Sequence, residues 1–470
     1  MIISRPLRIL LVRPFGVSDE VIPPISLGWL ATQIRAYHNV SILDALRGRL
    51  RADTIAEIVN RNNIDVVGFQ IWTKDIHEVK DVSRAIKSKC PETRIILGGC
   101  HPTVLPVETM KFFGETIDFA FKGEGEIGFR LFLDALSSDG ERKNFENIPG
   151  LVWKEGPEIR MNGNGFIQDL DSVGLPAWDL MPPSTYPRAP HGAFYRNFPV
   201  APIVISRGCP YPCAFCSART ISGSKIRTRS VDNVIEELSM LRRRFGVREF
   251  HIEDDNFTLN RDYVEHFCET LLQKDIRMTW AFPNGIRLDT IEREMLRLMK
   301  RAGCYGLNFG VESGSPRILK MIEKKIDLAL VRERLAMARE EGFDIGAFFI
   351  IGFPTETRQE MRETIRVALS LPLDRIGISY FQPFPGSPIY EQLLEQGEIS
   401  ADWADHHHTT LHNLTYVSSS TTREELRGMR KRFLVTFYFR PVILKGLLGQ
   451  VRSPSQLYYM VKRGIRWLKA

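Results

Sequence analysis

Cys209-Pro210-Tyr211-Pro212-Cys213-Ala214-Phe215-Cys216 places three thiols on one short loop in the spacing C-x3-C-x2-C. The run before it, Pro202-Ile203-Val204-Ile205-Ser206-Arg207-Gly208, reads as a buried strand. Three thiolates on a single loop can hold three corners of a [4Fe–4S] cube. Such clusters normally take four cysteines, and no fourth lies close by in the chain. The remaining iron is then open to a small molecule, which suits catalysis rather than electron transfer. A structural zinc site would ask for a second pair of ligands in C-x2-4-C spacing, and the sequence has none near.

Working outward, a βα rhythm surrounds this loop. Strands are expected at 202–206, 249–253, 278–282, 306–311, 345–351 and 376–381, with helices near 231–245, 262–274, 290–302, 327–341 and 357–370. Six such units predict a partial (β/α)6 barrel of the TIM type over 201–400, whose chemistry gathers at the carboxyl ends of the strands. The distinctive residues fall there. The cysteines follow strand one, Glu253-Asp254-Asp255-Asn256-Phe257 ends strand two, and Glu312-Ser313-Gly314 ends strand four. Gly352-Phe353-Pro354-Thr355-Glu356-Thr357 ends strand five, and Pro383-Phe384-Pro385-Gly386-Ser387-Pro388 ends strand six.

This order resembles the radical S-adenosylmethionine (radical SAM) enzymes across roughly 200–400. The resemblance implies that Cys209, Cys213 and Cys216 bind the cluster and that SAM chelates its open iron. It further implies that Phe215 packs by the adenine and that the Gly352-Phe353-Pro354 turn backs it. Glu312 would contact the ribose or methionine, and Asp254 and Asp255 would help to hold the methionyl end. Plainer readings exist: Asp254 and Asp255 as an N-cap of the next helix, Glu312 as a barrel-interior partner of Arg287, and Cys304 as a packed thiol.

The N-terminal third repeats the alternation. Strands are expected at Arg8–Arg13, Val40–Asp44, Asp65–Ile71, Arg94–Leu97 and Phe119–Phe121, giving a doubly wound parallel sheet over 5–137. Ligands on such sheets bind beyond the carboxyl ends of the strands, where glycine lets the backbone approach a flat ligand closely. Periodicity alone leaves a nucleotide, a flavin or a corrin open. The dinucleotide signature G-x-G-x-x-G is absent after strand one, where Arg13-Pro14-Phe15-Gly16 stands.

Three motifs follow in order: Pro23-Pro24-Ile25-Ser26-Leu27-Gly28, Gly98-Gly99-Cys100-His101-Pro102-Thr103 and Gly123-Glu124-Gly125-Glu126. Together they resemble the cobalamin-binding domain that precedes many radical SAM barrels. The resemblance implies that Ser26, Gly98, Gly99, His101, Thr103, Gly123, Glu124 and Gly125 support the corrin. The D-x-H-x-x-G motif of cobalamin mutases is absent after strand one. Asp75-Ile76-His77 echoes it only in part, so His77 reads as an exposed helix-start residue. His101 reads as pocket wall or loop-shaping residue rather than as a metal ligand.

Residues 138–200 read as a linker strap, with turn signals at Asp139-Gly140 and Asn162-Gly163-Asn164-Gly165, a hairpin from Leu151–Lys154 and Glu158–Met161, and prolines at 182, 183, 187 and 190. Residues 401–470 read as a helical extension. His406-His407-His408 and His412, flanked by Asp402 and Asp405, read as a solvated loop rather than a metal site. Beyond Arg423 the tail is basic and aromatic, packed on the barrel in the first reading and suited to peripheral contact with an anionic membrane in the second. Nucleic acid is not expected, since no recognition fold is apparent. The 470 residues carry a net charge of +7, a mild excess that by itself names no partner. Seven scattered and clustered cysteines, with no secretory segment or membrane-length apolar run, point to a reducing cytoplasm, with the inner face of the membrane as the alternative seat.

The two resemblances together imply an enzyme with three cofactors: a [4Fe–4S] cluster, SAM and cobalamin. Reductive cleavage of SAM would give methionine and a 5′-deoxyadenosyl radical, which takes hydrogen from an unreactive carbon, and cobalamin would then supply a methyl group. The expected substrate is a small or lipid-like molecule, and the electron donor a ferredoxin or flavodoxin. Three rivals differ in class. A tetrapyrrole-type cyclase would use the same cofactors without methyl transfer. A tRNA methylthiolase would need additional N-terminal cluster cysteines and a C-terminal β-barrel. A cobalamin sensor or carrier would leave the open-iron cluster unexplained.

Overall fold

The computed structural model describes residues 5–16, 21–137, 145–188, 194–400 and 414–469. The histidine cluster at 406–408 and 412, Asp139-Gly140 and Pro190 lie outside the described residues. Two compact units emerge. The first holds the described residues up to Tyr186 together with Ser217–Thr228. The second holds Pro187–Cys216, Arg229–Ile399 and the described tail.

The first unit is built on five parallel strands: β1 (Arg8–Arg13), β2 (Asn39–Asp44), β3 (Val66–Gln70), β4 (Arg94–Gly98) and β5 (Phe119–Phe121). Their order is 2-1-3-4-5, and the register places Ile9 between Val40 and Val66. Near-continuous apolar runs such as Ile9-Leu10-Leu11-Val12 form strands that are buried on both faces. One face packs Val12, Val67, Phe69 and Leu97 with the helices Ala52–Arg61 and Ile76–Lys89. The other packs Leu11, Ile96 and Phe121 with Ile25–Ile34 and Glu126–Ser137. The order reverses at β1, and its crevice with β3 lies at the carboxyl ends, where this topology binds ligands.

Where the sequence suggests a linker from 138 onward, the sheet in fact continues. The hairpin forms as β6 (Leu151–Glu155) and β7 (Glu158–Met161), and β6 pairs antiparallel with β5, so seven strands make one sheet. The following strap belongs to this unit too. Its Ser172–Leu175 carbonyls accept from Trp29, Thr32 and Gln33 of the first helix. Gly28 is required beneath it, since a Cβ there would lie 2.2 Å from the Met181 side chain.

The second unit carries six parallel strands in chain order: Val200–Ile203, Glu249–Ile252, Thr279–Ala281, Cys304–Glu312, Asp344–Ile351 and Arg375–Tyr380. This is the partial barrel. The first strand runs from 200 to 203 rather than 202 to 206, because Ile205 and Ser206 turn their amides to a side chain instead of the ladder. At the opposite end of the strands, the buried Glu249 carboxylate accepts from the Tyr305 hydroxyl (2.7 Å), the Thr279 hydroxyl (2.7 Å) and the Asn197 amide (2.7 Å). Burial alone would raise this carboxyl, but His251, Thr279 and Tyr305 outweigh it and hold it below its ordinary value. Helices Arg423–Tyr438, Pro441–Gln450 and Pro454–Lys469 end the chain.

Candidate active site

The three cysteines stand on the loop after the first barrel strand, each half-buried and none in a disulfide. Gly208, at φ +97, opens the loop in a backbone region that favours glycine. Its middle is pinned from two sides: the Ala214 amide donates to Ile322 O (2.9 Å), and the Ile389 amide donates to Ala214 O (2.9 Å). Among the described residues, no three His, Cys, Asp or Glu side chains converge on a point as a mononuclear metal site requires. A cube takes one thiolate per iron, and three thiols outside any disulfide, spread along one loop, fit that donor set. Burial first, then the neighbouring Asp255 and Cys213, push the Cys209 thiol above its ordinary value, so a cation or metal would be needed to hold it ionised.

A cation is at hand. The Arg287 Nη1 approaches Cys213 Sγ at 3.8 Å, and its guanidinium lies 3.6 Å from the centre of the Tyr211 ring. Asp289 grips the same guanidinium through both carboxylate oxygens (2.8 and 2.9 Å), and Lys324 O accepts from it at 2.9 Å. The loop Asn284–Asp289 ends the third barrel strand, and the sequence reading takes Arg287 from it only as a possible partner of Glu312. Its signal was Gly285, now seen at φ +97, ahead of an Arg and Asp two residues apart.

Asp254 does something other than what the sequence suggests. Its carboxylate accepts from the Ile205 amide (2.7 Å), the Ser206 amide (2.7 Å) and the Ser206 hydroxyl (2.6 Å). It therefore holds the segment that enters the cysteine loop, and it caps no helix; Asn260 caps the next one. Burial pushes its carboxyl up to about 7. Asp255 is exposed and close enough to Cys209 to raise that thiol, which leaves it facing the cluster loop. Asn256 was not singled out. It is fully buried, and neither amide atom finds a hydrogen-bond partner among the described residues. A buried unsatisfied amide costs a few kcal/mol, so a bound molecule that pairs with it would recover much of that.

Glu312 ends strand four in a left-handed conformation, φ +66, and pairs with Lys324 Nζ at 2.8 Å rather than with Arg287. Lys324 also lies 5.9 Å from the Phe215 ring centre. Phe215 meets Phe353 edge-on at 6.0 Å, and the chain of rings continues through Phe381 to Tyr416. The turn carrying Phe353 is fixed by Glu356, whose Oε2 accepts from the Gly352 amide (2.6 Å) and the Phe353 amide (3.1 Å). Burial pushes the Glu356 carboxyl up to about 8. Gly352 sits at φ +85, and Pro354 beside it is half-buried. Cys304 is a fully buried thiol at the start of strand four.

In the first unit, the loops after β3, β4 and β5 knit together. Gly99, at φ +102, passes so close to β3 that a Cβ would lie 2.8 Å from Ile71 O. Thr103 Oγ1 donates to Gly99 O (2.7 Å) and accepts from the Gly123 amide (3.0 Å), joining the β4 and β5 loops. His101 is fully buried, with Nδ1 against Thr73 Oγ1 at 3.1 Å, and burial pushes it down to about 3. A neutral, enclosed imidazole shapes the loop and is not presented as a cobalt ligand. His77 is exposed on the first turn of the helix Ile76–Lys89.

Gly98 leaves open space where a side chain would stand, Gly125 meets only Leu30 at 3.8 Å, and Ser26 is half-buried on the first turn of its helix. Bare backbone at the carboxyl ends of the strands suits a broad, flat ligand, so these residues fit a corrin. Glu124 departs from expectation. Both its oxygens take the Arg227 guanidinium at 2.8 Å, and one also accepts from the Ile167 amide (2.7 Å). Its carboxylate thus organises the loop from within, and Arg227, unread in the sequence, is the reason.

Three thiols after the first strand of such a barrel define a radical SAM enzyme. The family profile for the radical SAM superfamily matches residues 203–368, and that for the B12 binding domain matches residues 15–133. The chain is 32% identical to an uncharacterized methyltransferase of Pyrococcus horikoshii, over 95% of its own length and 93% of that protein. To the anaerobic magnesium-protoporphyrin IX monomethyl ester cyclase of Cereibacter sphaeroides it is 25% identical, over 80% of its own length and 61% of that protein. In fold it is similar to the radical SAM methyltransferase TsrM of Kitasatospora setae, solved with cobalamin and a [4Fe–4S] cluster bound (TM-score 0.74, 17% identity, 99% of each chain covered). The chain belongs to the radical SAM enzymes that carry an N-terminal cobalamin-binding domain, and its cofactors are a [4Fe–4S] cluster, SAM and cobalamin.

Proposed function

We propose that the enzyme methylates an unactivated carbon of a small molecule. When bound, the cluster supplies the electron that cleaves SAM, and cobalamin carries the methyl group. Cys209, Cys213 and Cys216 would hold the cluster. Asp255, Asn256 and Glu312 would orient SAM, with Phe215 and the Gly352–Pro354 turn against its adenine. The backbone at Gly98, Gly99, Gly123 and Gly125, with Ser26 and Thr103, would cradle the corrin. Lipid-like molecules fall within the substrate class, and a ferredoxin or flavodoxin would deliver the electron.

The observation that carries this reading is the pairing in one chain of a three-thiol barrel loop and a glycine-lined B12-type cradle. The name and near-complete coverage of the Pyrococcus horikoshii relative support methyl transfer. The likeness to the cyclase favours a second reading, ring formation with the same cofactors. The two differ in one product. Methyl transfer turns one SAM into S-adenosylhomocysteine while another gives 5′-deoxyadenosine; cyclisation gives 5′-deoxyadenosine alone. Anaerobic turnover with methyl-deuterated SAM decides. The proposal expects both products and a deuterated methyl in the substrate, and 5′-deoxyadenosine without S-adenosylhomocysteine would overturn it.

A further inference from the structure

The last two helices carry apolar side chains outward. In Pro441–Gln450 only Ile443 is buried, while Val442 is 71% and Leu448 is 67% exposed. In Pro454–Lys469, Leu457, Val461 and Ile465 recur at every fourth residue, so they share one stripe. That stripe is open to solvent, with Val461 at 52% and Ile465 at 51%, and Tyr458 beside it at 60%. A helix that serves only the fold turns its stripe inward. The helix before them does so: Leu426, Phe433, Leu434 and Phe437 are buried, and the Tyr438 hydroxyl donates to Ile376 O at 2.6 Å. One helix therefore anchors the tail, and the next two offer their apolar sides.

Charge decides between partners. From Leu426 to Ala470 the sequence has eleven Lys and Arg and no Asp or Glu. Lys445 is exposed on the first of these helices, and Arg452 is exposed on the link between them. A second copy would bring like charges together. A nucleic acid would pair the cations yet leave the Leu, Val and Ile stripe wet. An anionic bilayer meets both features, because apolar side chains enter the headgroup boundary while Lys and Arg meet the phosphates. No described helix is long and apolar enough to cross a membrane, so these helices would lie in the interface. We propose that Pro441–Gln450 and Pro454–Lys469 form a docking surface for an anionic lipid bilayer. This holds whichever reaction the enzyme performs, and its test needs no cofactor.

The test is flotation of the purified full chain with phosphatidylglycerol-containing vesicles and with pure phosphatidylcholine vesicles. The chain is expected to float with the first and not with the second. Leu448→Glu combined with Val461→Glu should abolish flotation. Lys445→Glu and Arg452→Glu should each weaken it about fivefold or more, the equivalent of the ~1 kcal/mol that a basic residue contributes near an anionic surface. All four side chains are exposed or lie at an element end, and unchanged melting temperatures verify that the variants fold. Absence of flotation with anionic vesicles would overturn the proposal, as would flotation that both sets of variants leave unchanged. Oligonucleotide binding without flotation would assign the surface to nucleic acid, and a dimer that Leu448→Glu dissociates, again without flotation, would assign it to a second copy.

Discussion

Arg287 donates from Nη1 to Cys213 Sγ at 3.8 Å while Asp289 holds the guanidinium from behind. The potential of an iron–sulfur cluster rises with positive charge and hydrogen bonds at its sulfurs. Arg287 is thus a positioning and tuning residue for the cluster loop. Arg287→Met should retain the cluster and lower its potential by roughly 60 mV, the one-electron equivalent of a ~1.4 kcal/mol interaction. Arg287→Lys should restore part of the shift. Potentiometry followed by electron paramagnetic resonance reads this without turnover, and an unchanged midpoint in Arg287→Met would count against it.

Gly98 and Gly99 are neighbours with opposite constraints. A Cβ at Gly99 collides with Ile71 O, whereas one at Gly98 meets nothing within 4 Å in the protein. Gly99→Ala should therefore destabilise the fold by about 1–3 kcal/mol. Gly98→Ala should leave the melting temperature of the cobalamin-free chain unchanged yet weaken cobalamin binding about tenfold or more, a cost of about 1.4 kcal/mol. Thermal unfolding and titration of the cobalamin absorbance separate the two effects. Full cobalamin affinity in Gly98→Ala would place the corrin elsewhere.

Glu124 and Arg227 form a buried pair with side chains 8% and 4% exposed. Removing one partner strands the other, so Glu124→Leu or Arg227→Met alone should cost about 3–5 kcal/mol. The double variant should recover much of that loss, because neither charge is then left buried. Denaturant midpoints of the four proteins test this, and additive losses would show that the pair does not act as a unit.

Glu356 gives stability a pH dependence. Its carboxyl is raised by burial to about 8, so the folded state keeps a proton that the unfolded state releases near the ordinary carboxyl value of 4.5. The stabilisation from this group is full below that ordinary value and is lost as pH rises through about 8. Glu356→Gln keeps an acceptor for the Gly352 and Phe353 amides but cannot titrate. Its melting temperature should fall less than that of the wild type between pH 4 and pH 8.5, an interval that brackets those two values. Parallel profiles would refute the assignment.

The strand runs, the parallel order and the cysteine loop were legible because each rests on a local pattern: continuous apolar segments, short loops and C-x3-C-x2-C spacing. The roles of acidic residues were not, because they depend on partners far away in the chain. Asp254 answers to Ser206, 48 positions earlier; Glu124 answers to Arg227, 103 positions later. Glu312 was weighed against Arg287 and found Lys324 instead, since Asp289 had already claimed the arginine. The hairpin was foreseen as a pair, but its docking on β5 carries no local signal.

One chain holding both a SAM-cleaving cluster and cobalamin is the feature on which the proposed reaction depends. Its most direct test is anaerobic reconstitution with iron, sulfide and hydroxocobalamin, followed by reduction and addition of SAM. The expected outcome is about four iron atoms and one cobalamin per chain, formation of 5′-deoxyadenosine, and loss of iron and of deoxyadenosine in Cys213→Ala with cobalamin retained. A chain that binds no cobalamin, or a Cys213→Ala variant that still cleaves SAM, would contradict it.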